Sequence, residues 1–146
     1  MDKSDPPTSF GIFKPVGHTL MAMSDEAKLL EAVAGLTSMG FAPDSMVRYS
    51  PAEMLAQTSA ELVDHNPLAN FGYELDLLNV HHGLAQQGCS FLVVEAATDE
   101  LAAQVATLIT QIQPVAAQHY GRLMIEDLTE KPLAPASGVN AFSPEP

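Results

Sequence analysis

Two kinds of hydrophobic pattern alternate along this chain. Residues 18–23 and 91–96 are apolar at nearly every position, which is typical of short strands covered on both faces. Each run leads into a polar stretch, Ser24-Asp25-Glu26 or Thr98-Asp99-Glu100, and then into apolar residues spaced three or four positions apart. A hydroxyl side chain before two acidic residues favours a helix N-terminus, with Ser24 as the N-cap of the first helix. The pattern therefore predicts two strand–helix pairs.

Two further strands complete the predicted sheet. Residues 46–49 follow a Pro-Asp turn, and residues 118–128 are typical of a last strand with a bulge at Gly121. Two consecutive strand–helix–strand units favour an α+β fold of the ferredoxin-like, split-βαβ type, with a four-stranded antiparallel sheet. In that arrangement the first and third strands are central, and the second and fourth strands lie at the edges.

A two-helix insertion, residues 51–87, separates the second and third predicted strands. It opens with Ser50-Pro51-Ala52-Glu53, which has the pattern of a helix capping box. Its first helix is predicted to end near His65, shortly before a proline, and its second helix to begin at Asn70 or Gly72. Apolar stripes on both helices favour a role as cover for one face of the sheet, and a ligand or partner surface is the alternative.

The two ends of the chain differ from this core in composition. Residues 1–9 and 130–146 contain several prolines and few large apolar side chains, so they bury too little surface to offset the entropy of ordering. We therefore expect a single domain over residues 10–129, between a disordered N-terminus and a disordered Pro/Ala-rich tail. Residues 10–17 are expected to extend the first strand and to place Phe10 and Phe13 over the core, with a binding arm as the alternative.

Charge and hydropathy exclude several classes of partner. The chain has 18 acidic and 6 basic residues, a formal net charge of -12, so its field repels phosphate backbones and we expect no nucleic-acid partner. No apolar run approaches the ~20 residues of a membrane-spanning helix, and the insertion presents acidic side chains where an anionic bilayer needs Lys or Arg. The N-terminus lacks the pattern of a signal peptide, which predicts a cytoplasmic protein.

Two stretches of this sequence carry a resemblance to a known family. Residues 18–41 contain Ser24-Asp25-Glu26 and Gly40-Phe41, and residues 83–88 read Gly-Leu-Ala-Gln-Gln-Gly just before the strand at 91–96. In this pattern, over about half the chain, the sequence resembles a family of small bacterial general stress proteins that are induced by heat. The resemblance implies a stress-associated βαβ domain with a helical insert between its halves, and it implies no catalytic residues.

The histidines of the insertion are the candidate metal ligands, because imidazole is the commonest metal ligand in proteins. Glu61 and His65 are four residues apart on one predicted helix, and His81 and His82 lie on the next. Adjacent residues on a helix point about 100° apart, so His81 and His82 do not easily face one ion. We expect no cofactor, with a metal ion at His65, His81 and Glu61 as the alternative. The single cysteine, Cys89, is expected to be a buried thiol.

The predicted function is binding rather than catalysis. Tyr49, Tyr73, His82 and Tyr120 are the candidate ligand-binding residues, because a cleft between the sheet and the inserted helices is the kind of concave, mostly apolar place where ligands bind. We expect a partner protein or a small molecule there, and a homodimer that forms through the unpaired edge strands. The alternative is a metal- or cofactor-dependent enzyme that uses the histidines of the insertion, with Glu61 or Asp76.

Overall fold

Helices and strands succeed each other through residues 1–9, 11–64 and 73–129, the parts of the chain that the computed structural model describes. The strands there are β1 (Thr8–Ser9), β2 (Ile12–Phe13), β3 (His18–Met23), β4 (Met46–Tyr49), β5 (Ser90–Glu95), β6 (Ala116–Tyr120) and β7 (Ile125–Asp127). The helices are α1 (Glu26–Ser38), α2 (Pro51–Asp64), α3 (Tyr73–Gln86) and α4 (Asp99–Ile112). The predicted start of the second inserted helix, at Asn70 or Gly72, lies outside the described residues, as do His65, Phe10 and the tail at 130–146.

Five of the strands form one antiparallel sheet in the order β4-β5-β3-β6-β7. The predicted α+β class is confirmed, and β3 and β5 lie side by side within the sheet. The predicted count of four strands is wrong. Gly121 does not form a bulge but begins a turn, closed by its N–H donating to the carbonyl of Met124 at 2.9 Å. The chain reverses there, so β7 rather than β6 lies at that edge of the sheet.

Helices cover both faces of this sheet. On one face α1 and α4 pack over alternate strand residues, with Leu36 and Val105 against Met21 and Leu92. The other strand residues, among them Leu20, point to α2 and α3 on the opposite face. The prediction that the insertion covers one face of the sheet is therefore confirmed. Among the described residues no helix has both the length and the apolar character needed to cross a membrane.

Local sequence signals determine where the helices begin and end. The N-cap of α1 is Asp25, not Ser24 as predicted, because the Asp25 carboxylate accepts the backbone N–H of Lys28 at 2.9 Å. At its other end Gly40 has φ +100°, and the Phe41 N–H donates to the Leu36 carbonyl at 3.0 Å. With the bond from the Gly40 N–H to the Thr37 carbonyl, also 3.0 Å, this forms a Schellman motif, which needs a residue that tolerates the left-handed conformation.

The N-terminal residues form a separate short hairpin. Thr8–Ser9 pairs with Ile12–Phe13. The first of these strands lies within the segment 1–9 that was predicted to be disordered, and the second lies just after it. The prediction that residues 10–17 extend the first strand of the main sheet is wrong, because Ile12–Phe13 pairs with β1 instead of continuing β3. The prediction that Phe13 lies over the core is confirmed, since this ring is buried against the α2/α3 face of the sheet.

Candidate functional site

A small buried cavity lies where α2 and α3 meet the sheet and the N-terminal hairpin. Glu61 and Thr58 of α2, His81 and Glu74 of α3, and Tyr120 of β6 are among its lining residues. Its volume is about 10 Å³, which is about the space that one water molecule requires. The cavity is unusual for a protein interior because ionisable side chains lie beside apolar ones, and such groups are almost always paired when buried.

His81 is an almost completely buried ionisable group at this cavity. Its Nε2 lies 3.0 Å from Oε1 of Gln118 in the middle of the sheet, and its ring contacts the edge of Phe91 with centroids 5.9 Å apart. Burial disfavours the charged imidazolium and lowers the pKa of His81 to about 4, although the bond to Gln118 acts in the opposite direction. His81 is therefore neutral near pH 7 and donates its Nε2 proton to the Gln118 carbonyl oxygen.

Glu61 faces the same cavity from α2. Its Oε1 accepts the backbone N–H of Phe13 at 3.2 Å, a contact between residues 48 positions apart in the sequence. Burial raises the pKa of Glu61 to about 7, and the hydrogen bond from Phe13 and the nearby Gln57 side chain offset part of that effect. Burial thus favours the protonated form of this carboxyl group, and a protonated carboxyl can both donate and accept a hydrogen bond.

Three aromatic rings meet beside the cavity. The Phe13 ring lies between those of Tyr49 and Tyr120, with centroid distances of 6.2 Å and 6.5 Å and an edge-on geometry at both contacts. Tyr49 is on the edge strand β4 and Tyr120 is three strands away on β6, so Phe13 connects two distant parts of the sheet face. Burial raises the pKa of Tyr49 to about 12 and also raises the pKa of Tyr120.

Two lysines of the N-terminal residues form ion pairs at the rim of this region. Lys14 Nζ lies 2.9 Å from Glu74 Oε2 of α3, in a half-buried position. Lys3 Nζ lies 3.1 Å from Glu53 Oε2 at the start of α2, and it is also 5.2 Å from the centre of the Tyr49 ring. The two inserted helices therefore meet the N-terminal residues through carboxylates.

The structure brings together four of the candidate residues named from the sequence. Tyr49 and Tyr120 belong to the apolar cluster on this sheet face, and Glu61 and His81 line the cavity beside it. Tyr73 is half-buried against the same cluster, where burial raises its pKa.

His82, the remaining ligand-binding candidate, contacts α2. Its Nδ1 lies 2.9 Å from the Thr58 hydroxyl, which itself donates to the carbonyl of Met54. His81 and His82 thus bind different elements, in agreement with the 100° between neighbouring helical positions. His65 is outside the described residues, and the residues that are described contain no group of three His, Cys, Asp or Glu side chains placed to hold a metal ion. Cys89 is a buried free thiol, as expected, and burial raises its pKa.

Gln118 is the site residue that reasoning from the sequence missed. It lies between Ala116 and Tyr120 at every second position of β6, so all three side chains share the face covered by α2 and α3. A glutamine on the buried face of an apolar strand was the available signal. The amide Nε2 of Gln118 and the hydroxyl of Tyr49 are buried and have no hydrogen-bond partner among the described residues.

This arrangement is suited to holding a ligand by hydrogen bonds. A neutral imidazole, a carboxyl group with a pKa near 7 and two unpaired donors lie in one apolar layer, where Phe13 contacts Glu61 and the Tyr49 ring. Comparison of the chain with protein-family models, with curated proteins and with solved structures found no match. The geometry of the residues is therefore the basis for the functional proposal that follows.

Proposed function

We propose that this protein is a non-enzymatic, stress-associated binding protein whose site is the junction of the sheet with α2 and α3. The observation that carries the proposal is the set of polar groups buried there, above all the unpaired donors of Tyr49 and Gln118. A buried polar group without a partner costs about 1–3 kcal/mol. Apolar residues of similar volume avoid that cost and are often neutral or stabilising when they replace buried polar pairs. Folding gives no reason to retain these unpaired donors, whereas the binding of a ligand does.

The size of the cavity favours a polypeptide over a small molecule as the ligand. Pockets for drug-sized ligands have volumes of roughly 300–1,000 Å³, and this cavity has about 10 Å³. A ligand reaches the buried groups only after the chain segment that contains Phe13 moves away. The space that this segment leaves has the dimensions of an extended peptide, so a segment of a partner protein fits it best.

The remaining parts of the proposal concern assembly and biological context. β4 lies at an edge of the five-stranded sheet and β7 at the other, which supports a homodimer formed by edge pairing. The order of the four longest strands supports a ferredoxin-like arrangement that β7 extends. The stress association rests on the resemblance over residues 18–41 and 83–96, and the cytoplasmic location is part of the same proposal.

The test compares the wild-type chain with the double variant His81→Leu/Gln118→Met. If these residues serve binding, the double variant unfolds at the same temperature as the wild type or at a higher one, because the buried polar pair has been replaced by apolar groups. Native mass spectrometry of untagged protein, purified without chelator, is then expected to detect a bound mass on the wild type and none on the double variant. Gln104→Met, on the exposed face of α4, is the control that retains the bound mass.

Two results contradict the proposal. A fall of several degrees in the unfolding temperature of the double variant shows that His81 and Gln118 serve folding. A stoichiometric metal ion in the wild-type spectrum, lost when the insertion's histidines are replaced, favours the alternative of a metal-dependent enzyme.

A further inference from the structure

The residues that cover the site make contacts of the kind that a bound peptide makes. We call residues 12–14 the covering segment. Ile12 packs on Leu78 of α3, the Phe13 ring lies between Tyr49 and Tyr120, and Lys14 pairs with Glu74. We propose that the cleft between α2, α3 and the sheet recognises an extended partner segment with an aromatic residue followed by a basic one. The covering segment occupies this cleft within the free chain, and the partner displaces it. This inference rests on the binding function proposed above.

The main chain of the covering segment is bound by a side chain of the cleft. The Phe13 N–H donates to the Glu61 carboxylate, and among the described residues Ile12–Phe13 pairs only with the two residues of β1. A segment that belonged to the main sheet would use its backbone groups in a strand ladder. Recognition of an N–H by a carboxylate is available to any extended peptide, because it needs only the backbone donor.

The side-chain pockets set the sequence preference of the cleft. An aromatic ring is required between Tyr49 and Tyr120, since edge-on ring contacts on two sides place a planar group there. Glu74 lies next to this position and selects a cation at the following residue, as Lys14 shows at 2.9 Å. The two preferences together define an aromatic–basic pair.

The overall charge of the chain supports a cationic partner. Two of its 6 basic residues, Lys3 and Lys14, pair with carboxylates of α2 and α3, against 18 acidic residues in the whole chain. Displacing Lys14 removes the ion pair of Glu74 at the cleft. The basic residue of the partner restores that pair, and a negatively charged protein also attracts such a partner over longer distances.

Glycines flank the covering segment on both sides. Gly11 has φ +83° and Gly17 has φ +82°, conformations that other residues rarely adopt.

Exposed ion pairs such as Lys3–Glu53 contribute little to stability, so Ile12 and Phe13 provide most of the attachment of the covering segment. A partner that fills the same pockets replaces these contacts with equivalent ones. The affinity measured for the partner is then reduced by the fraction of chains whose cleft is covered.

The experiment measures binding of a fluorescent peptide with the sequence of residues 7–16 to the full-length chain, by fluorescence anisotropy. The Phe13→Ala chain, whose own segment no longer fills the aromatic position, is expected to bind the peptide at least ten times more tightly than the wild-type chain. The same peptide carrying F13A is the control and is expected to bind neither chain. Circular dichroism verifies that Phe13→Ala is folded. If it is not, Lys14→Glu is used instead, because it weakens the covering segment without opening a cavity.

A charge exchange tests the role of Glu74 independently of Phe13. Adding Glu74→Lys to the variant chain is expected to abolish binding of the original peptide and to allow binding of a peptide with K14E. Equal binding of the original peptide to the wild-type and Phe13→Ala chains overturns the covering role. A folded Phe13→Ala chain that binds no peptide overturns the aromatic–basic preference. The binding site proposed above is still supported in that case if the bound mass is lost in His81→Leu/Gln118→Met. A wild-type dimer that the peptide converts to monomers overturns the partner proposal in favour of segment exchange between two copies.

Discussion

His81 on α3 and Gln118 on β6 form a hydrogen bond of 3.0 Å between two side chains that are almost completely buried. The bond connects the inserted helices to the centre of the sheet. Burial in this apolar layer keeps the imidazole neutral, although the bond to Gln118 acts in the opposite direction. Glu61 lines the same cavity, and its pKa is shifted in the opposite direction, since it is raised. Both shifts have the same main cause, which is that burial disfavours the charged form of each group.

These opposite shifts predict a pH dependence of stability that single substitutions reveal. The pKa of Glu61 is about 7 in the folded chain and ordinarily 4.5, so its contribution is present below pH 4.5 and is lost as the pH rises to 7. The pKa of His81 is about 4 in the folded chain and ordinarily 6.5, so its contribution is present above pH 6.5 and is lost as the pH falls to 4. Between pH 4.5 and 6.5 the two effects oppose each other.

The measurement is the free energy of unfolding in urea between pH 4 and 7.5. Relative to the wild type, Glu61→Gln is expected to gain stability as the pH rises through this range, and His81→Gln to lose it, each by on the order of 2 kcal/mol. The double variant lacks both titrating groups, so its curve is expected to run parallel to that of the wild type between pH 4.5 and 6.5. Single-variant curves parallel to the wild type would show that neither group is buried as described.

Because the hydroxyl of Tyr49 is unpaired in the described part of the chain, we expect that replacing Tyr49 by phenylalanine does not destabilise the protein. This hydroxyl is buried without a partner among the described residues, while the ring contacts Phe13. Tyr49→Phe removes the unpaired group and keeps the ring, so the free energy of unfolding is expected to stay the same or to rise by about 1 kcal/mol. Tyr49→Leu is the matched control and is expected to lose at least about 1 kcal/mol, because it removes the ring contact. A comparable loss in Tyr49→Phe would mean that the hydroxyl is hydrogen-bonded.

Signals contained in a few neighbouring residues predicted the helices and strands well. The strand at 18–23 and the strand at 46–49 have the bounds expected from the sequence, and the capping box at Ser50 and Glu53 forms as expected. In these places the pattern of side chains and the contacts that stabilise the element involve the same few residues. The N-cap of α1 is one position later than predicted, because Ser24 and Asp25 are both suitable caps and only the path of the chain selects Asp25.

The site depended on contacts that no local pattern contains. Tyr49, Tyr120, Glu61 and His81 were identified as candidates by residue type, yet their grouping depends on how α2 and α3 lie on the sheet. Phe13 meets Glu61 across 48 positions, and His81 meets Gln118 across 37. The fifth strand was missed for a related reason, since the stretch at 118–128 can continue as one strand or turn back on itself with the same composition.

The capping box of α2 predicts a measurable loss of stability. The Ser50 hydroxyl accepts the Glu53 N–H at 3.0 Å, and the Glu53 carboxylate accepts the Ser50 N–H at 2.9 Å. Ser50→Ala removes the first bond and is expected to lower the free energy of unfolding by about 1 kcal/mol. Ser59→Ala, at an exposed position of the same helix, is expected to raise it slightly, since alanine is the better helix former. Equal effects of the two substitutions in urea unfolding would argue against the cap.

The turn between β6 and β7 predicts a local effect at the edge of the sheet. A Cβ atom at Gly121 would lie 2.9 Å from the carbonyl oxygen of Met124, which belongs to the backbone and cannot rotate away. Gly121→Ala must therefore shift the turn and weaken the pairing of β7, while the rest of the sheet retains its contacts. We expect faster amide hydrogen exchange in β7 and unchanged exchange in β5.

The control for this substitution lies in the same turn. Leu123 is 99% exposed, so Leu123→Ser removes no packing and is expected to leave exchange in β7 unchanged. If Gly121→Ala also leaves β7 protected, the turn has room for a side chain and the strand does not depend on the contact between Gly121 and Met124. If exchange accelerates through β3 and β5 as well, β7 is part of the cooperative core rather than an edge strand attached by one turn.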